Sequence, residues 1–239
     1  MNEKLPLMVI GHRGCVGRAA ENTLAAVKLA IEQGCRWVEV DVHLLGERLV
    51  VIHDERVDRT TDGVGCIGDL GLDRLRELDA GGGEKVPFIE EVLDVCEGKV
   101  GVNIELKGKG VAEAVVNMLE GRRWEDEVIV SSFDWEMLKR VREMHDSVPI
   151  AVLFSKAREW EGAIQQALSL GARWVNPSLR ALDKGWVRYA QGEGLMVAVY
   201  TVRGTGDLRK VIDSEADACF VDDPKMVMEA LWNGYDMDG

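Results

Sequence analysis

Three carboxylates and two histidines set the first question. In "WVEVDVHLL" Glu39, Asp41 and His43 fall at alternate positions, and in "NIELKG" Asn103, Glu105 and Lys107 do the same. Alternation at period two puts each set on one strand face, with Val38, Val40 and Val42, or Val102, Ile104 and Leu106, on the other. Acidic side chains sharing a buried face repel each other and raise one another's pKa. A hard divalent cation relieves that conflict, and oxygen-only ligands favour Mg2+, Mn2+ or Ca2+ over zinc. Glu39, Asp41 and Glu105 are therefore candidate metal ligands, and a salt-bridge cluster with Lys107 and Arg13 is the other reading of the same charges. His12, in "GHRG", and His53, in "VVIHD", are expected to flank the cluster as a general acid and base pair. Arg13 and Lys107 supply the local positive charge with which an acidic protein holds an anion. Gly11 and Gly14 would let backbone N–H groups approach a phosphate closely. A metal, two imidazoles, an arginine and a lysine together suit phosphoryl transfer. His43, one step past Asp41, is expected to lie clear of the site, and His145 to be a helix-end or solvent residue.

Such a set needs strands that end at one rim. Eight β-type runs alternate with eight amphipathic helical runs, from "LMVIG" to "PKMVMEALWNG". That order reads as α/β with a parallel sheet, and eight units favour a (β/α)8 TIM barrel, whose site lies at the C-terminal ends of the strands. Helices ending in Gly before "CRWVEVDV" and "ARWVNPSL" fit a left-handed C-cap. One segment interrupts the alternation: a short insertion after strand 2, at about 44–86, opening with "RLVVIHD". A turn near "LGER" folds it back on "WVEVDVHL" as a hairpin, with His53 opposite Val40 or Asp41. The remainder is polar and Gly-rich, with one short helical turn expected. With no linker or low-complexity stretch, residues 1–239 read as a single domain carrying a short cap.

Composition narrows the partners. The chain of 239 residues is 46% hydrophobic and 30% charged, with a formal net charge of -13. An acidic chain without a basic stripe argues against nucleic acid. Five scattered cysteines without a CxxC pair point to reduced thiols and a cytoplasmic protein. "MNEKLPLMVI" is too short an apolar run for a signal peptide, and no membrane span is expected. The oligomeric state is left open.

"GHRG", "ENTLAA", "VEVDVHL", "VVIHDERVDRTTDG", "PFIEEVLD" and "NIELKG", in that order, resemble the glycerophosphodiester phosphodiesterase family. "VSSFD", "VYTV" and "VDDP" extend the resemblance over nearly the whole chain. It implies a (β/α)8 barrel with one divalent ion, Mg2+ in the first place and Mn2+, Ca2+ or Co2+ as alternatives. It implies Glu39, Asp41 and Glu105 as ligands, His12 and His53 as acid and base, and Arg13 and Lys107 on the phosphate. A small-molecule glycerophosphodiester would be hydrolysed to a glycerol phosphate and an alcohol, by way of a cyclic phosphate formed by the neighbouring glycerol hydroxyl. Two positions depart from the family pattern. Ala20 stands where the family usually has Pro. Tyr200, Thr201, Val202 and Arg203 stand where it usually reads "WTVN", on the strand lining the alcohol or glycerol side, so Tyr200 is a substrate-binding candidate. The small cap implies an open groove, and with it an alternative: a lysophospholipase D-like phosphodiesterase acting on lipid substrates.

Overall fold

The computed structural model describes residues 7–120 and 127–232. The opening "MNEKLP", Gly121 after "GVAEAVVNMLE" and the close of the final helical run lie outside the described residues. In chain order the elements are β1 (Met8–Gly11), α1 (Leu24–Glu32), β2 (Trp37–Leu45), β3 (Arg48–Val51), α2 (Ile67–Glu77), α3 (Ile89–Cys96), β4 (Gly101–Lys107) and α4 (Val111–Leu119). They continue with β5 (Val128–Ser132), α5 (Trp135–Met144), β6 (Ile150–Phe154), α6 (Trp160–Ser169), β7 (Trp174–Pro177), α7 (Lys184–Gly192), β8 (Met196–Val202), α8 (Thr205–Ser214), β9 (Ala218–Val221) and α9 (Pro224–Trp232).

Among the described residues eight parallel strands close on themselves, because β1 pairs with β9 on one side and β2 on the other. This is a (β/α)8 barrel. Alternation sorts each strand between two cores. Val38, Val40, Val42, Val102, Ile104 and Val130 face outward against the helices. Ile10, Ile129, Ala151, Trp174, Ala198, Ala218 and Phe220 face inward and plug the barrel floor. Gly101 opens β4 because a Cβ there would stand 2.6 Å from the Trp37 ring. Above this apolar plug the inward positions turn polar, and the site begins there.

Local chemistry sets the boundaries. Thr23 caps α1 by accepting the Ala26 N–H, and Asp134 and Asp183 do the same for α5 and α7. Gly34 and Gly171, which follow α1 and α6, take φ of 84° and 58°, as their place before the next strand requires.

The second barrel strand, β2, runs on beyond the rim and β3 folds back on it antiparallel, pairing Val42 with Val51. That register puts His53 opposite Val40, the first of the two expected positions, and the Ile52 N–H donates to the Asp41 carbonyl at 3.0 Å. The rest of the insertion is more ordered than its composition implies. Val50, Ile52, Val57, Ile67, Leu75, Leu78, Ala80 and Val86 form a core of their own. In place of one helical turn there is α2, eleven residues long and broken at Gly71, whose φ is 73°. Glycines hid this helix from a composition reading, whereas Ile67 and Leu75 mark its buried side. No described helix is long and apolar enough to cross a membrane.

Candidate active site

β2 and β4 run side by side with Asp41 paired to Glu105 and Glu39 to Asn103. This register gathers the three carboxylates at the strands' C-terminal ends. One oxygen from each of Glu39, Asp41 and Glu105 lies within 4.8 Å of the others, and all three residues are buried. Glu39 Oε2 accepts the Arg13 backbone N–H at 2.8 Å, but its Oε1 is buried without a hydrogen-bond partner. Burial, then the charges of Asp41 and Glu105, push Glu39 well above the usual carboxylate range. Burial and Asp41 raise Glu105 to about 7. Burial works to raise Asp41 too, but Lys107, Arg13 and His53 outweigh it and hold Asp41 low.

The ion-pair cluster read from the sequence is present as well. Lys107 Nζ lies 3.2 Å from Asp41 Oδ1 and contacts Glu105 Oε1, and Arg13 Nε lies 3.3 Å from Asp41 Oδ2. The first of these is an ion-pair contact outside hydrogen-bond geometry, so Asp41 Oδ1 also lacks a donor. Three carboxylates against two cations leave one negative charge unmatched. A buried, donor-less carboxylate oxygen beside two more carboxylates fits a hard divalent cation.

This electrostatic strain predicts a measurable slope. A carboxyl near 7 in the folded chain and about 4.3 unfolded binds more proton when folded, so stability falls as pH rises between those values. Carboxylates held low, such as Asp54 and Glu215 at about 2, lose their contribution only below the unfolded value, outside that window. Chelator-treated protein is therefore expected to melt several degrees lower at pH 7.5 than at pH 5.5, and Glu105→Gln to flatten the slope. A melting temperature rising over that interval in scanning calorimetry would contradict the coupling.

The loop after β1 builds the next layer. Arg13 and Asn22 take left-handed φ of 49° and 59°, uncommon outside glycine. Asn22 uses it to clasp Asp41, donating from Nδ2 to Oδ2 at 2.9 Å and accepting the Asp41 N–H at 3.2 Å. Glu21 accepts from Arg13 at 2.6 Å and from both terminal nitrogens of Arg59 at 2.7 and 2.8 Å. "ENT" thus carries three separate tasks: an ionic bridge, a carboxylate clasp and a helix cap.

Gly11 and Gly14 serve packing, contrary to the phosphate-cradle expectation. A Cβ on Gly11 would stand 2.2 Å from the Gly14 carbonyl oxygen, and one on Gly14 2.6 Å from the backbone of α1. The N–H groups of His12 and Gly14 are already spent on the carbonyls of Val221 and Glu39.

His12 and His53 are each braced by an aspartate. His12 Nδ1 lies 2.6 Å from Asp222 Oδ1, and His53 Nδ1 lies 2.5 Å from Asp54 Oδ1. Asp54 is held down to about 2, chiefly by the hydrogen bond from Arg59 and then by that from His53. Burial works to raise Asp222, but His12 and Arg203 bring it below the usual range. Both carboxylates are ionised at neutral pH and can only accept, so each imidazole donates from Nδ1 and turns Nε2 outward. His43, expected clear of the site, is buried, and its Nε2 donates to the His53 carbonyl at 3.1 Å. It holds the backbone that carries His53. Tyr200 points inward from β8, donates from Oη to the Phe154 carbonyl at 2.8 Å, and stacks edge-to-face on Phe133 at 5.7 Å. Its hydroxyl is spent, and its ring remains as a wall.

Asp54 had a visible signal, adjacency to His53. Asp222 had only its place in "VDDP", 210 residues from the histidine it holds. Cys15, beside the site, is buried and its thiol is pushed up to about 11 by that burial, so it is inert.

A closed barrel with convergent carboxylates and two braced histidines at its C-terminal rim has the makings of a hydrolase acting on phosphate esters, and comparison with known proteins gives the family. The Glycerophosphoryl diester phosphodiesterase family matches residues 12–226. A glycerophosphodiester phosphodiesterase of Caldanaerobacter subterraneus is 33% identical over 243 residues, covering 95% of this chain and 98% of the relative. An Oleispira antarctica phosphodiesterase, solved with its product sn-glycerol-3-phosphate, superposes with a TM-score of 0.86 at 30% identity, covering 94% of this chain and 96% of that one. A glycerophosphodiester phosphodiesterase from Thermotoga maritima gives 0.81 at 26% identity, covering 93% and 97%. The chain belongs to the glycerophosphoryl diester phosphodiesterase family and is, by that membership, a phosphoric diester hydrolase.

Proposed function

We propose that this site hydrolyses small glycerophosphodiesters to a glycerol phosphate and an alcohol, with His12 and His53 as the proton-transfer pair. The observation that carries the reading is the pair of His–Asp contacts at 2.6 and 2.5 Å beside a donor-poor carboxylate triad. Glu39, Asp41 and Glu105 would hold one divalent ion, Mg2+ by the all-oxygen donor set. When bound, that ion supplies charge neutralisation for the phosphoryl oxygens.

The chain's own residues do the remainder. Arg13 and Lys107 place positive charge where the phosphate meets the carboxylates. One imidazole Nε2 takes the proton of the neighbouring glycerol hydroxyl as its oxygen bonds to phosphorus, and the other gives a proton to the alcohol oxygen as its P–O bond breaks. Water then opens the cyclic phosphate, giving up its proton to one imidazole while the ring oxygen takes one from the other. Asp222 and Asp54 accept from Nδ1 of His12 and His53 and so fix the tautomer and the orientation of each ring. The product in the Oleispira antarctica complex is a glycerol phosphate, which supports the small-molecule class. The names of the relatives do not favour the lysophospholipid alternative.

Incubation with glycerophosphocholine, glycerophosphoethanolamine and a lysophospholipid, with release of the free alcohol (choline or ethanolamine) as readout, tests the reading. The first two are expected to turn over in preference to the third, and the reverse order would restore the lipid alternative. Asp222→Asn and Asp54→Asn are each expected to lower kcat by about ten- to a hundredfold, the range for partners that orient a reacting group, with KM little changed. Steady-state kinetics decides this: a loss confined to KM would mean that the aspartates serve binding and not proton transfer.

A further inference from the structure

Three cations beside the buried carboxylates and the His53 brace are committed. Arg13 pairs with Glu21 and lies 3.3 Å from Asp41. Lys107 sits between Asp41 and Glu105. Arg59 spends Nε on Asp54 at 2.6 Å and both terminal nitrogens on Glu21. Arg203, just past β8, differs from all three. Its Nε donates to Asp222 Oδ2 at 3.1 Å, and its two terminal nitrogens have no partner among the described residues. Its side chain is 66% exposed. Asp222 uses its other oxygen on His12. One carboxylate thus tethers an open guanidinium fork to the side of a proposed proton-transfer imidazole.

We propose that Arg203 is a specificity-determining residue that selects diesters whose alcohol moiety carries a carboxylate. The proposal rests on the hydrolase reading above. The phosphate and the glycerol hydroxyls lie with the buried carboxylates and cations, so the part of the substrate that meets the exposed rim is the alcohol. At the end of β8 the Tyr200 hydroxyl donates to the Phe154 carbonyl, and Arg203 offers the open N–H groups of that strand end. A chain of net charge -13 repels anions in general, so an anionic alcohol needs such a local fork. The planar fork matches a carboxylate, two N–H groups to two oxygens. Asp222 already offsets part of its charge, which suits a single negative charge better than the double charge of a phosphate monoester. A cationic alcohol would meet Arg203 with repulsion.

Glycerophosphoserine and glycerophosphoethanolamine differ by one carboxylate, and that pair makes the test. The wild-type enzyme is expected to favour glycerophosphoserine by about fivefold in kcat/KM, the scale of one solvent-exposed charge pair, with the difference residing in KM. Arg203→Gln should bring the ratio close to one, and Arg203→Lys, which keeps the charge and loses the fork, should fall between. Two results would overturn the proposal while leaving the hydrolase reading in place: equal use of both diesters by the wild type, or a ratio that survives Arg203→Gln while kcat drops alike on both. The second would show that Arg203 serves only to brace Asp222. Absence of turnover on either diester would overturn the hydrolase reading itself, and this proposal with it.

Discussion

His12→Asn and His53→Asn are each expected to lower kcat by about a thousandfold, in the range measured for general acid–base groups, while divalent-ion affinity changes little. Asparagine keeps polarity near each aspartate and removes only the titratable ring. Neither histidine belongs to the carboxylate triad, so ion binding, followed by calorimetry, should persist in both variants. The two losses should also fail to multiply. Once one proton transfer is gone, the attack or the departure is blocked whichever partner survives, so the double variant should resemble the single ones. Substantial turnover by either single variant would remove that histidine from the proton-transfer pair. A matching collapse in ion affinity would instead make it a ligand.

The second large effect concerns the triad. Glu105→Gln is expected to weaken divalent-ion binding by about a hundredfold or more and to reduce turnover at fixed Mg2+ close to background. Chelation should silence the wild type, and added Mg2+ should restore it, whereas Glu105→Gln should stay silent at the same concentration. Folding loss cannot imitate this result. Glu105 pays a burial cost and repels Asp41, so its neutral counterpart should leave the metal-free protein at least as heat-stable at pH 7.5. A variant that binds Mg2+ normally yet lacks activity would show that the carboxylates serve the ion-pair cluster with Lys107 and Arg13.

The triad was legible in the sequence because strand alternation is a strict period. Once Glu39, Asp41 and Glu105 were placed on inward faces of neighbouring strands, their meeting depended only on register, which the Asp41–Glu105 pairing supplies. His53 was legible through hairpin arithmetic. The barrel was legible because outward valines and inward small or aromatic residues leave the alternation intact. What stayed hidden was of another kind. Asp222 reaches His12 only because β9 closes the ring against β1, a contact no local pattern announces. Arg59 reaches Glu21 only because the cap has its own core and sits on the β1–α1 loop. His43 was dismissed on its position along β2. The pairing of β3 brings the His53 carbonyl within reach of its ring, so its task is to hold backbone. Gly11 and Gly14 differ from the expectation for a related reason: glycine permits close approach, but only the fold decides what approaches, and here it is the Gly14 carbonyl at Gly11 and α1 at Gly14.

The most direct test of the central claim is a phosphorus-31 NMR time course of glycerophosphoethanolamine with the purified enzyme and Mg2+. The site described here predicts that the diester resonance is replaced by that of a glycerol phosphate, at a rate abolished by chelator and reduced about a thousandfold in His12→Asn and His53→Asn. An unchanged diester resonance, or phosphoethanolamine as the product, would contradict it.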